Sequence, residues 1–279
     1  SSFILDVNQL SLYVLKGYAG TGKTTIVSAL VNILPSLKNS FTLLAPTGRA
    51  AKVLSNYSGQ GAHTIHRFIY WATTNNDGRF KLVLRPNKQK NTIFIVDEAS
   101  MIPDGVSGSD FSQASRSLLE DLITFVYTPQ SNCKIILIGD EAQLPPVGLD
   151  ISPALNIEYL KASFGLDIKT FTLKEVVRQS LSSVILANAT FIRNKIEEDS
   201  LDMPFFNLEN FKDIQAIGGA DLEDLLNSSY SNFGNENTVV ITRSNKRANI
   251  YNQQIRHRIL YQEEEISAGD FMMVVKNNY

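Results

Sequence analysis

Glycine, lysine and a hydroxyl residue at fixed spacing mark the first place where this sequence can do chemistry. Residues 12–25 read LYVLKGYAGTGKTT, and Gly17-x-x-x-x-Gly22-Lys23-Thr24 fits the phosphate-loop pattern at every required position. Without β-carbons, Gly17, Gly20 and Gly22 let the backbone curl so that successive N–H groups point inward. The start of the following helix adds its partial positive charge. Lys23 is then placed to neutralise the β- and γ-phosphates of a nucleotide, and the Thr24 hydroxyl to ligate Mg²⁺. Ala19, Thr21 and Thr25 complete the cradle. A strand before the loop and an amphipathic helix after it supply the context that gives the motif meaning.

Carboxylates come next. The apolar run Ile93–Val96 opens into Asp97-Glu98, so two acids sit at the carboxyl end of a buried strand, where open α/β sheets bind ligands. Asp97 is placed to hold Mg²⁺, directly or through its waters. Glu98 is placed to orient and deprotonate the water that attacks the γ-phosphate. A further buried run, Leu137–Gly139, opens into Asp-Glu-Ala-Gln143-Leu-Pro-Pro. The uncharged amide of Gln143 can touch both the γ-phosphate and the attacking water, and so report whether triphosphate is present. Pro145-Pro146 stiffens the exit from that turn.

The elements that must position these groups are legible in the apolar pattern. Leu12–Leu15, Phe41–Ala45, Ile93–Val96 and Lys134–Ile138 are short and almost continuously apolar, as parallel strands buried on both faces are. Ile26, Val27, Leu30, Ile33 and Leu34 recur at helical spacing until Pro35 ends the run. Leu118, Leu119, Leu122, Ile123 and Val126 mark another amphipathic helix. Strand–helix alternation predicts an α/β fold with a parallel sheet covered by helices. Two interruptions stand out. Thr73–Asn91 is polar and turn-rich and reads as a small β excursion. Around Gly148–Gly165 one alternation finishes, and another begins with strand Phe171–Leu173, a helix over Ser182–Ile196 and strand Val239–Thr242. The domain boundary is therefore expected at residue 165.

Composition narrows the class. With 279 residues and 43% hydrophobic content the chain can bury a sizeable core and fits two domains better than one. No apolar run approaches a membrane span, and the single cysteine, Cys133, excludes an intrachain disulfide and fits a reducing compartment, with the cytoplasm as expected location. The net charge of −2 hides an uneven distribution. Residues 38–90 hold nine Lys/Arg against one acid, and residues 243–258 hold five against none. Such stripes suit a groove that tracks a phosphate backbone, and on charge alone they suit solvated faces equally well.

Taken together and in order, the motifs carry a resemblance. Gly17–Thr24, Ala45-Pro-Thr-Gly-Arg-Ala-Ala51, His63-Thr-Ile-His-Arg67, Val96-Asp-Glu-Ala-Ser100, Gly139-Asp-x-x-Gln-Leu-Pro-Pro-Val147 and Glu175-Val-Val-Arg-Gln179 resemble superfamily 1 DNA helicases, most closely the RecD/Dda branch. The likeness runs from about residue 12 to the end of the chain. It implies two RecA-like motor domains with ATP between them, single-stranded DNA across their top and 5′→3′ translocation. The first domain would span 1–165 with a β insertion at about 73–91. The second, over 166–279, would be incomplete and end at the opening of an inserted β-barrel, Gly269–Tyr279.

By matching position, Pro46, Thr47, Arg49, His63, Thr64 and His66 resemble DNA-contacting residues of the first motor domain, with Phe68 or Trp71 as stacking faces. Thr242, Arg243 and Asn245 resemble those of the second. The 73–91 excursion is similar to an inserted subdomain that carries a strand-separating wedge, with Phe80 at its turn. Arg178 resembles an arginine finger reaching the γ-phosphate from the second domain.

The pattern also departs from the family. Two late motifs do not occur, and Gln9 lies too near Gly17 to be the adenine-reading glutamine. Both departures imply a fragment that binds nucleotide weakly and hydrolyses and unwinds poorly. Two other readings stay open. One is a non-motor subunit that binds nucleotide and single strands within a repair, recombination or plasmid-transfer assembly. The other is a small-molecule kinase, which has only the phosphate loop in its favour.

Overall fold

The computed structural model describes residues 2–6, 10–74, 80–105, 117–129, 131–175, 183–198, 200, 202–208, 213–270 and 272. Eight strands are present among them: β1 Ser11–Gly17, β2 Ser40–Ala45, β3 Ala62–Thr64, β4 Tyr70–Thr74, β5 Phe80–Leu84, β6 Thr92–Val96, β7 Lys134–Gly139 and β8 Asp167–Leu173. The helices are α1 Ser2–Leu5, α2 Lys23–Ile33, α3 Gly48–Ser58, α4 Ile65–Ile69, α5 Leu118–Val126, α6 Ile157–Phe164, α7 Val184–Glu197, α8 Leu222–Phe233 and α9 Asn245–Gln254. By contacts the chain divides into two compact units, residues 1–204 and 205–279.

Six strands of the first unit form one parallel sheet in the order β3-β2-β6-β7-β1-β8. Because successive side chains of a strand alternate faces, each central strand feeds two cores. Phe94 and Val96 of β6, with Leu12, Val14, Ile135 and Leu137, pack against Leu119, Leu122 and Val126 of α5. Ile93 and Ile95, with Leu15, Leu43, Ile136 and Ile138, pack against Val27 and Val31 of α2 and Ala51 and Leu54 of α3. Covering on both faces is why β6 and β7 read as unbroken apolar runs. Phe94, Phe68 and Phe125 meet edge to face with ring centroids 5.9 Å apart, each pair adding about 0.5–1.5 kcal/mol beyond its buried area.

Helix ends follow local chemistry. Thr47, Thr64 and Ser117 each accept an N–H bond with the side-chain oxygen at the start of α3, α4 and α5. The expected β excursion is an antiparallel hairpin, β4 with β5, and it begins three residues earlier than the sequence suggested. Tyr70, at its base, donates a 2.7 Å hydrogen bond to the buried Asp121 of α5, which ties the hairpin to the sheet.

The expected boundary at residue 165 is corrected by the sheet. β8 pairs in parallel with β1 along its whole length, from Ser11↔Asp167 to Gly17↔Leu173. Phe171–Leu173 therefore closes the first sheet as an edge strand instead of opening a second one. The helix expected over Ser182–Ile196 is α7 and also belongs to the first unit.

The second unit contains α8 and α9, the latter running on into a π-helical turn at Ile255–Ile259. Val239–Thr242, expected as a strand, pairs with no other strand among the described residues, and Val239 and Ile241 are 80% and 91% exposed. Most of the expected barrel opening, residues 271 and 273–279, lies outside the described residues. Among those residues no helix is long and apolar enough to cross a membrane.

Candidate nucleotide site and nucleic-acid interface

All three motif-bearing strands of the sheet centre, β1, β6 and β7, end on the same side because they run parallel. The loops that follow them line one cleft of ≈ 490 Å³. Tyr18–Ile26 form its floor, α3 contributes Ala50, Val53 and Tyr57, and Asp97, Glu98 and Gln143 close it. Seven of the eight expected cradle residues lie in that floor with Lys23 and Thr24 among them, and the eighth, Gly17, stands just before it at the end of β1. A β-carbon on Gly17 would fall 2.7 Å from Thr21 Oγ1 and 3.0 Å from Leu173 Cβ, so only glycine fits between the loop and the sheet edge. Gly22 caps α2 with φ +92°, a left-handed conformation that other residues adopt under strain.

Lys23 is already aimed inward. Its Nζ donates to the Gly17 carbonyl at 2.6 Å and the Tyr18 carbonyl at 3.0 Å, and lies 4.0 Å from Asp140 Oδ2. Burial lowers its pKa, while Asp140, Glu98 and Asp97 work in the opposite direction. Asp140 is 3% exposed and holds the turn after β7 by accepting the Ala142 N–H at 2.9 Å. Spacing singled out Gln143 and passed over Asp140. The signal was nevertheless there, since Asp140 follows β7 in the same way that Asp97 follows β6.

Asp97 accepts a bond from its neighbour, Glu98 N–H, at 3.0 Å, and a short one from the Tyr57 hydroxyl. Glu98 is held at φ +53°, a left-handed backbone for a non-glycine residue, which turns its side chain into the cleft. Its carboxyl pKa is raised, first by burial and then by the Asp97 charge, which are the conditions that make a carboxylate a better proton acceptor. The fit to Mg²⁺ rests on donor chemistry. The Thr24 hydroxyl and the Asp97 carboxylate are hard oxygens in a half-buried, acid-lined cleft, and Mg²⁺ typically uses one or two carboxylates plus substrate phosphates.

A helix with no motif also reaches the loop. Arg193 of α7 lies 4.8 Å over the Tyr18 ring, and Tyr18 donates a short hydrogen bond to Glu197. Burial and that bond push the Tyr18 phenol up to about 12. Arg193 also adds positive charge close enough to oppose that of Lys23.

The basic candidates gather at the far edge of the same sheet. Register pairs Leu44 with His63 and Ala45 with Thr64, so Pro46-Thr47 and His63-Thr64 leave β2 and β3 side by side. Arg49 and His63 are exposed, whereas Thr47 and Thr64 use their side-chain oxygens as helix caps. His66 is half-buried, and that burial lowers its pKa, which works against a cationic contact with phosphate. In the second unit Thr242 donates to the Ser244 carbonyl at 3.1 Å, and Arg243 and Asn245 stand exposed at the start of α9. Arg178 lies outside the described residues, as does the tip of the hairpin at residues 75–79.

Sheet order, loop and acid pair together define a phosphate-loop nucleotide-binding domain. The AAA domain family model matches residues 7–203, and the chain belongs to that family. It is 29% identical over 178 residues to the ATP-dependent RecD2 DNA helicase of Deinococcus radiodurans, covering 64% of this chain and 21% of that protein. Against the ATP-dependent DNA helicase dda of Enterobacteria phage T4 it is 33% identical over 184 residues, covering 64% and 37%. The chain thus spans well under half the length of these two curated relatives. Among solved structures it is similar to a Bacteroides Pif1 helicase in complex with ADP-AlF3 and single-stranded DNA. There the TM-score is 0.46 and the identity 17%, with 93% of this chain and 55% of that one covered.

Proposed function

We propose that this chain is the nucleotide-binding part of an ATP-driven DNA helicase that moves along single-stranded DNA. The observation that carries the reading is the convergence of Lys23, Thr24, Asp97, Glu98 and Gln143 on one cleft, with the basic candidates at the ends of the adjoining strands β2 and β3.

In this reading the triphosphate lies along Tyr18–Thr25. The Lys23 ammonium leaves the Gly17 and Tyr18 carbonyls for the phosphates, and Asp140 keeps it aimed. Thr24 and Asp97 would hold Mg²⁺, which would supply positive charge to neutralise the phosphates. Glu98 takes the proton from the attacking water, and Gln143 senses the γ-phosphate. Arg178, in the segment between β8 and α7, supplies a further positive charge to the γ-phosphate. Pro46, Thr47, Arg49, His63, Thr64 and His66 contact DNA on the first motor domain, and Thr242, Arg243 and Asn245 on the second. Translocation runs 5′→3′, in repair or recombination in the cytoplasm, with other subunits of such a complex as partners.

The deciding experiment is an ATPase assay on the full-length protein with single-stranded, double-stranded or no DNA. A motor turns over faster with single strands. A non-motor subunit binds ATP and DNA without that acceleration, and that result would overturn the proposal. Replacing Arg178 with alanine separates the two further, because only a motor loses hydrolysis while keeping nucleotide.

A further inference from the structure

One side chain in the cleft has no part in the chemistry above. Tyr57 occupies the last turn of α3, and its hydroxyl donates to Asp97 Oδ2 while lying within hydrogen-bonding reach of the Thr24 side chain. It therefore stands between the two groups assigned to the cation. Its backbone is fixed as well, since Ser28 of α2 donates to the Tyr57 carbonyl at 3.2 Å.

The opposite end of the same helix carries the nucleic-acid candidates. Thr47 caps α3 and Arg49 is exposed in its first turn. Eleven residues at the usual helical rise make a rod of about 16 Å, with Leu54 and Ala51 buried along its inner face. A displacement of so short a helix as a unit would carry Arg49 and Tyr57 together.

We infer that Tyr57 is a positioning residue that joins the DNA-contacting end of α3 to the cation ligands. Its hydroxyl holds Asp97 while no cation is bound and yields that carboxylate when the cation arrives with nucleotide. DNA drawn onto the start of α3 changes how readily it yields. The inference rests on the reading of the cleft and of Arg49 proposed above.

The test titrates Mn²⁺ with ADP on the full chain, following free Mn²⁺ by electron paramagnetic resonance, with and without an oligothymidine. Tyr57→Phe removes only the hydroxyl, and Tyr57→Leu checks that ring packing is not the cause. Both variants should bind Mn²⁺ about fivefold more tightly, as expected when one hydrogen-bond competitor is removed. The oligothymidine should shift half-saturation in the unaltered chain and shift it less than about twofold in both variants. Unaltered Mn²⁺ affinity, or a full DNA-dependent shift in Tyr57→Phe, overturns the link while ADP and DNA binding stand. If the unaltered chain binds neither ADP nor oligothymidine, the functional reading falls and the link falls with it.

Discussion

The two compact units bury their side chains to different depths. In the first, β6 and β7 are sealed on both faces, and nearly every large apolar residue of the sheet centre is shut from solvent. In the second, α8 and α9 bury no residue, and Ile255 is the one buried hydrophobic among the described residues. A deep core suits a cleft that must hold charged groups at fixed separations, because packed strands set the positions of Lys23, Asp97 and Asp140. A shallow helical unit with Arg243, Lys246 and Arg247 exposed suits contact with a flexible polyanion, which needs charge more than rigidity.

That contrast can be broken or sharpened. The largest effect is expected from Glu98→Gln, which should lower the rate of ATP hydrolysis by about 10²–10⁴-fold and leave ADP affinity within about twofold. Hydrolysis that survives the change would mean that the rigid cleft is not where chemistry occurs. Phe94→Ala should cost about 3–5 kcal/mol, read by denaturant unfolding of the first unit. Hydrogen exchange should meanwhile find the amides of α8 and α9 opening well before those of β6 and β7. Equal protection in both units would erase the difference in depth.

Smaller again is Arg243→Ala. It should weaken binding to oligothymidine by about three- to tenfold, reduce the salt slope by about 0.7, and leave ADP binding unchanged. The smallest effect concerns pH. The Glu98 carboxyl is raised in the folded chain, so its contribution to stability is full below the ordinary carboxylate range and is lost as pH rises through the raised value. Glu98→Gln should therefore melt higher than the unaltered chain near pH 8, by roughly 1–2 °C, and converge with it near pH 4.

Much of the first unit could be read from residue types. β1, β2, β6 and β7 are legible because burial on both faces leaves almost no polar position, and the phosphate loop is legible because its geometry demands glycine. Edge elements are not. β8, DIKTFTL, mixes polar and apolar residues because it is an edge strand exposed along much of its length, Phe171 included, so it passed for the start of another sheet. β3 has only three residues and owes its place to β2. In the site, Asp97, Glu98 and Gln143 stood out beside strands, whereas Tyr57 and Arg193 sit on helices, where an aromatic or a cation looks the same whether it serves a core, a surface or a cleft. The cap roles of Thr47 and Thr64 and the enclosure of His66 depend on contacts that spacing alone does not encode.

The hairpin built from β4 and β5 carries the sole indole of the chain. Trp71 faces Val83 across the ladder, is 46% exposed and has the Arg85 guanidinium 5.8 Å above its ring. Light emission from this protein therefore comes chiefly from one spot, beside a cation and open to water. Anything that lifts the arginine away or lays a base against the ring will register as a change in brightness or colour, without a dye attached.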